Sequence, residues 1–364
     1  MRVLFLVSAG AFAMRRSVRA AVLAKSPEHE VRMLAPDAEA KDLRDLGVPT
    51  ESWRPAGLFN VLRSINALRK TVERFDPDVI HAFGWTAAAV ALGALPARYT
   101  HRMLVALQDP IRDTEMPKAF VDKRLPELLA RAGSIACAYE TLRRGIVDTF
   151  AVPSERVQVV PYGVAPLLPP DLARAPGRRG PIVGYASRLE ADRGWKTIVD
   201  ATVALARTYP DAQLWLGSSA PVASLVRAHA RAARALDLIT FFDDLPDARL
   251  FAGIDMLAVP KTRDGVPYPL VEALVSGIPI VGANVPGIAD VLTPYAGWLV
   301  PDETSGFIDG LTAAWESIDD AWATAQAQRS ATTAVFAPEA ATAWMRATYA
   351  RLAAAVPEAA NAER

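Results

Sequence analysis

Short apolar runs alternate with amphipathic stretches along almost the whole chain. In the first half, Val3–Val7, Val31–Leu34, Val79–His81, Met103–Ala106, Ile135–Ala138 and Val157–Val160 read as strands. Between them, Leu58–Phe75 places Leu58, Leu62, Ile65, Leu68, Val72 and Phe75 at helical spacing. The pattern breaks over residues 166–180, where Pro and Gly cluster without a period, as in a linker. It then restarts. Ile182–Tyr185, Gln213–Leu216, Ile239–Phe242, Met256–Val259, Ile278–Val281 and Trp298–Val300 read as strands. Trp195–Thr208, Val222–Leu236, Pro269–Ser276, Ser305–Phe336 and Pro338–Ala355 read as helices. Alternation of this kind predicts doubly wound parallel sheets. The expected architecture is α/β with two Rossmann-like domains: residues 1–165, a linker at 166–180, residues 181–336, and a closing helix within 337–364 that crosses back to the first domain. The site is expected in a cleft where the C-terminal ends of both sheets meet.

Composition narrows the function. The chain has 364 residues, 51% of them hydrophobic, and balances 40 basic against 40 acidic side chains. That argues against a strongly basic nucleic-acid binder. Cys137 is the single cysteine, which excludes a disulfide framework and a cysteine-based zinc site and suits a reducing cytosol. The charge balance hides an asymmetry: residues 1–165 carry net +5 and the remainder net −5. A basic first half suits an anionic partner such as a phospholipid surface or a phosphorylated acceptor. Arg63, Arg69, Lys70 and Arg74 on the Leu58–Phe75 helix fit membrane contact, or simply a helix packed on its own sheet. No apolar run reaches the ~18 residues of a membrane span. The N-terminal apolar run is short for a signal peptide and reads better as a buried strand. A cytoplasmic location is expected, with any membrane contact peripheral to the inner face.

Several familiar sites are missing. No G-x-G-x-x-G follows the first strand, where Gly10 stands alone, and there is no P-loop or G-x-S-x-G elbow. The four histidines form no H-x-x-x-H pair. The informative stretch runs from Lys261 to Pro279: a strand end, a loop with Asp264-Gly265-Val266-Pro267, a helix opening near Pro269, and a stop at Gly277. The helix start would aim free N–H groups and a positive dipole end at a phosphate. Asp264 in the loop and Glu272 in the first turn or so either complement that dipole or reach sugar hydroxyls. Arg188 and Arg193 follow the strand Ile182–Tyr185 and suit a pyrophosphate. Asp264 and Glu272 also fit a glycosidase carboxylate pair, but the arginines argue for transfer. His81 either lines the site or caps a buried strand end.

Taken in order, Val160-Pro161-Tyr162-Gly163, Ser187-Arg188-Leu189 with Arg193-Gly194, Leu216-Gly217, Asp264 with Glu272-Ala273 and Gly277-Ile278-Pro279, Pro286-Gly287-Ile288 with Asp290, and Gly297-Trp298-Leu299-Val300-Pro301 resemble the retaining GT-B glycosyltransferases of family four. Phe75-Asp76-Pro77-Asp78-Val79-Ile80-His81 and Phe336-Ala337-Pro338-Glu339 extend the resemblance over nearly the whole chain. It implies a nucleotide-diphosphate-sugar donor as co-substrate and neither metal nor other cofactor. Arg188 and Arg193 would hold the diphosphate, Glu272 the ribose, and Asp264 the sugar. Gly10, Gly217, Gly265, Val266 and Leu270 would complete the donor site, with His81 and Asp109 on the acceptor side. The acceptor would be a sugar, lipid or small molecule in cell-surface glycan, glycolipid or natural-product synthesis. The chain departs from the family pattern at Arg193 (usually Lys), Asp264 (usually Glu), Tyr162, Phe83 and Gln108-Asp109. Tyr162, Phe83 and Gln108 leave open a non-catalytic scaffold that binds a nucleotide or a protein, against which Arg188, Arg193 and Glu272 speak, and the same architecture also serves nucleotide-sugar epimerases.

Overall fold

The computed structural model describes the chain except residues 9–17, 20, 23–27, 38–42, 44–45, 54–57, 112–115, 161–162, 170–177, 187–193, 218–222, 243–247, 262–264 and 356–364, and gives only the backbone of 58–60. The chain forms two compact units. The first is residues 1–163 with 338–364, and the second is Val164–Ala337.

Unit one holds a seven-stranded sheet in the order β3-β2-β1-β4-β5-β6-β7. Its strands are β1 (Arg2–Val7), β2 (Glu30–Ala35), β3 (Thr50–Ser52), β4 (Val79–Phe83), β5 (Met103–Leu107), β6 (Ser134–Cys137) and β7 (Val157–Val159). Every pairing is parallel. Among its helices are α1 (Leu58–Phe75), α2 (Trp85–Ala94) and α3 (Glu140–Phe150). Unit two holds a six-stranded parallel sheet in the order β10-β9-β8-β11-β12-β13. Its strands are β8 (Ile182–Ala186), β9 (Gln213–Gly217), β10 (Ile239–Phe242), β11 (Met256–Val259), β12 (Ile280–Ala283) and β13 (Trp298–Val300). Its helices include α4 (Trp195–Thr208), α5 (Ala223–Ala232), α6 (Tyr268–Ser276), α7 (Ile288–Leu292), α8 (Thr304–Glu316) and α9 (Ile318–Phe336). The last helix, α10 (Pro338–Ala354), belongs to unit one.

The central strands are apolar on both faces because helices cover both. Val3 through Val7 are fully buried, as are Val79 and Ile80. At the opposite edge from the loops, one device recurs in both sheets. In unit one, Asp78 N–H donates to the Arg2 carbonyl at 2.9 Å. Arg2 N–H returns a bond to Asp78 Oδ2 at 2.7 Å. In unit two, Asp255 N–H donates to the Ile182 carbonyl at 2.8 Å, and Ile182 N–H returns a bond to Asp255 Oδ2 at 2.8 Å. Each aspartate stands just before the strand that pairs with the first strand of its unit. Asp255 is fully buried, and Arg178 Nη1 at 3.1 Å supplies its countercharge.

Among the differences from the sequence reading, three bear on the architecture. β3 is a three-residue edge strand, Thr-Glu-Ser, too short and too polar to show a period. The stretch Ser305–Phe336 is two helices, broken at Ser317 (φ −115°, ψ 28°). The expected linker begins inside unit two, because Val164 and Leu168 are buried there. Val164 N–H donates to the Phe336 carbonyl at 2.7 Å, and Leu167 N–H donates to Ser276 Oγ at 3.0 Å. The Arg329 guanidinium takes the Pro169 carbonyl at 2.7 Å and also that of Leu168. Residues 170–177 of that linker lie outside the described residues.

Helix α10 lies against unit one, burying Ala341, Met345, Tyr349 and Leu352 in its core. Tyr349 Oη meets His81 Nδ1 at 2.7 Å, both side chains buried. The His81 ring stacks on Phe83 at 3.9 Å and meets the edge of Phe5 at 5.6 Å.

Two expectations follow from these contacts. Asp255→Ala strands a strand-initiating N–H and a half-buried arginine, so it should cost about 3–5 kcal/mol in urea unfolding. Asp78, half-buried, should cost about 1–2 kcal/mol, and the reverse ranking would contradict the assigned roles. His81 supplies a pH test. Burial lowers its pKa from 6.5 to about 3, so the native ring stays neutral while the unfolded one gains a proton near pH 6.5. Between those values the unfolded state holds more protons, and stability falls as pH falls. The share from His81 between pH 7 and pH 5 is about 2 kcal/mol. The double variant His81→Phe/Tyr349→Phe should lose that share, and an equal drop in Tm between pH 7 and pH 5 in wild type and double variant would refute it.

Candidate functional site

In each doubly wound sheet the strand order reverses once, between β1 and β4 and between β8 and β11. In a doubly wound fold the connections on either side of such a reversal run to opposite faces, and the opening between them is where such folds bind ligands.

In unit one, Ser8 directly follows β1 and its hydroxyl donates to the Phe83 carbonyl at 2.6 Å. The same oxygen accepts Ala87 N–H at 3.4 Å, tying β1 to the head of α2. Trp85, the first residue of α2, donates from Nε1 to the Asp109 carbonyl at 2.7 Å, so the β5 end is held too. Asp109 therefore lies at this edge. Gly10 lies outside the described residues. His81 does not reach the edge. It sits mid-strand in β4, 3% exposed, in the aromatic cluster beneath α10. The structure thus corrects its expected place at the site to a place in the core. With its pKa near 3 it is neutral at physiological pH, and its Nε2 has no hydrogen-bond partner among the described residues. Cys137 is likewise inert as a nucleophile, since burial pushes its thiol up to about 12.

In unit two, Arg188, Arg193 and Asp264 lie outside the described residues, but their flanks are placed. The first two sit between Ala186, at the end of β8, and Gly194, at the head of α4. Asp264 sits between Lys261, just past β11, and Gly265. Gly217 ends β9 in register with Ala186. The β11 connection then enters α6, whose N-cap is Pro267 and whose first residue is Tyr268. Val266 and Leu270 are fully buried beneath this turn. Glu272 is the fifth residue of α6, so it stands in the second turn rather than the first, and it is 3% exposed. A carboxylate this buried is not a dipole complement in solvent, because burial of a charge is costly without specific partners. The far end of α6 is also fixed. Gly277 stops it, and Gln326 Nε2 and Thr332 Oγ1 of α9 donate to the Gly277 and Leu274 carbonyls at 2.9 and 3.1 Å.

Contacts between loops were not visible in the sequence. A Cβ on Gly194 would lie 2.5 Å from Pro260 Cβ, and one on Gly287 would lie 2.6 Å from the Gly265 carbonyl oxygen. Both glycines adopt positive φ, 68° and 88°. Gly287 was part of the Pro-Gly-Ile motif, yet nothing in one sequence says which loop it meets. Among the described residues no three His, Cys, Asp or Glu side chains gather as metal ligands. No described helix is long and apolar enough to cross a membrane.

Two doubly wound parallel-sheet units, each open at its switch point, define a GT-B protein of the Rossmann-like class. Residues 13–163 match the glycosyl transferase 4-like domain and residues 180–317 match the glycosyl transferases group 1 model. Together the two cover most of the chain, which belongs to the group 1 glycosyltransferases. A D-inositol 3-phosphate glycosyltransferase of Corynebacterium glutamicum is 26% identical over 264 residues, 65% of this chain and 62% of that protein. A 2-deoxystreptamine glucosyltransferase of Streptomyces kanamyceticus is 24% identical over 45% of this chain and 46% of its own length. The match therefore spans about half to under two thirds of these relatives. Among solved structures, Anabaena HepE in complex with UDP superposes with a TM-score of 0.78 at 18% identity, covering 96% of this chain and all of that one. At that identity the likeness speaks for the fold.

Proposed function

We propose that this chain transfers a sugar from a nucleotide-diphosphate-sugar to an acceptor hydroxyl, with retention at the anomeric carbon and without a metal ion. The observation that carries the reading is the β11–α6 unit. A helix N-terminus follows a central strand at the switch point, with a buried carboxylate one turn further in. Such an N-terminus favours a diphosphate. Arg188 and Arg193, on the neighbouring β8–α4 connection, hold that diphosphate and neutralise the charge that develops as the sugar–oxygen bond breaks. Glu272 accepts the ribose hydroxyls and Asp264 a hydroxyl of the transferred sugar. Gly10 lets the backbone after β1 approach the donor, and Asp109 stands on the acceptor side. His81 works at a distance, by fixing β4 to α10. Support comes from the named transferases among the relatives and from Anabaena HepE, which binds UDP and UDP-glucose. The acceptor is a sugar, lipid or small molecule, and the net +5 of residues 1–165 suits an anionic membrane surface or a phosphorylated acceptor.

The two carboxylates separate in experiment. Asp264→Ala should retain free nucleoside diphosphate but lose turnover, because its bond is to the moving sugar. Glu272→Ala should weaken the nucleotide itself by about 1.5–3 kcal/mol. Calorimetric titration into both variants decides the matter, and the opposite pattern means the roles are exchanged. Arg188→Ala should lower kcat by about 10²–10³ with little change in Tm. Donor cleavage should persist in EDTA. Loss on chelation with return on adding Mn²⁺ or Mg²⁺ would overturn the metal-free reading. The sequence offers one Asp-x-Asp, Asp76-Pro77-Asp78, and its carboxylates are engaged at the far edge of sheet one with Arg2 and Tyr99.

A further inference from the structure

The connection from β11 to α6 is gripped at both of its described ends by loops that follow other strands. At the near end, Lys261 N–H donates to Asp302 Oδ1 at 2.9 Å, in the turn after β13. Beside it, the head of α4 lies so close that Gly194 has no room for a side chain against Pro260. At the far end, the head of α7 lies on Gly265. A Cβ on Gly287 would come within 2.6 and 2.7 Å of the Gly265 carbonyl oxygen and carbon. Gly287 has no slack to yield, since its own N–H is tied to Asp290 Oδ2 at 2.9 Å and its φ of 88° excludes most side chains.

We infer that Asp302 and Gly287 are positioning residues for the donor, acting through Lys261 and Gly265 to set where α6 begins. The inference rests on the reading of this edge as the donor site. Asp302 and Lys261 are both exposed, and a single hydrogen bond between exposed groups contributes little to global stability. Its effect is local: it fixes where the connection leaves β11. Gly287 fixes the other end by contact alone. A diphosphate site needs its donors in place before the ligand arrives, because reorganising them would subtract from affinity and rate. A carboxylate on the β13 loop and a bare Cα on the β12 loop meet that need without touching the ligand.

Hydrogen–deuterium exchange over residues 260–266 tests the inference with no ligand present. Asp302→Ala should speed exchange in that segment while Tm stays near wild type. It should also weaken whichever of UDP, GDP and ADP the wild type binds by about tenfold. Asp302→Asn keeps an accepting oxygen and should recover most of both effects, which a merely destabilising change would not show. Gly287→Ala should weaken the same nucleotide further, with some loss of Tm. Unchanged exchange and unchanged nucleotide affinity in Asp302→Ala overturn the inference. A wild type that binds none of the three nucleotides, with exchange still faster in Asp302→Ala, overturns the donor reading and leaves the loop-holding role intact.

Discussion

The reciprocal bond between an aspartate and the first residue of its neighbouring strand underlies both units. Asp78 with Arg2, and Asp255 with Ile182, each exchange a backbone and a side-chain hydrogen bond. The strands so joined are the two that flank the reversal in strand order. Register in a parallel sheet must be specified, because a one-residue slip turns every side chain to the other face. A fully buried Asp255 would be expensive alone, but Arg178 and the Ile182 N–H answer its charge. Trp322 adds a bond to its carbonyl at 2.7 Å, so α9 is referenced to the same point.

From that fixed base the strands rise to the edge where chemistry is expected, and the loops there inherit their positions. α6 is held at its C-terminal end by Gln326 and Thr332 of α9, the helix whose Arg329 grips Leu168 and Pro169. At the same margin of unit two, Val164 and Phe336, where the chain enters and leaves, are joined by a backbone bond. A single helix thus touches the strand base, the entry segment and α6. In unit one, α10 plays the corresponding part. Its Tyr349 is hydrogen-bonded to His81, with the neutral ring enclosed by Phe5 and Phe83.

The strands that form the core of both sheets were legible in the sequence because buried parallel strands are continuous apolar runs, as in Val3–Val7 and Met256–Val259. Thr50–Ser52 carried no such signal, and its strand state comes from pairing with β2. Pro and Gly marked the region after 165 as irregular, but composition could not show that Val164 and Leu168 are buried. His81 was ambiguous for a physical reason: a histidine after two apolar strand residues reads alike whether it faces solvent or a tyrosine 268 positions away. The glycines of the site region stood out, yet the partners Pro260 and Gly265 belong to other loops, and such pairings are tertiary.

This division of labour explains why the motifs of the site are short and scattered. Of the side chains expected at the ligand, Arg188, Arg193 and Asp264 fall on connections and Glu272 falls in α6, while the contacts at the described ends of those connections are made by backbone atoms, glycines and one exposed carboxylate. A side chain can be read from a sequence by its chemistry. A bare Cα that lets two loops meet within van der Waals distance can be read only once the loops are seen together. Preorganisation of this kind is what electrostatic stabilisation of a leaving diphosphate requires, since donors already in place lose nothing to reorientation as charge develops. In unit two, α6 is held at its C-terminal end by α9 and referenced through that helix to the buried aspartate at the base of β11.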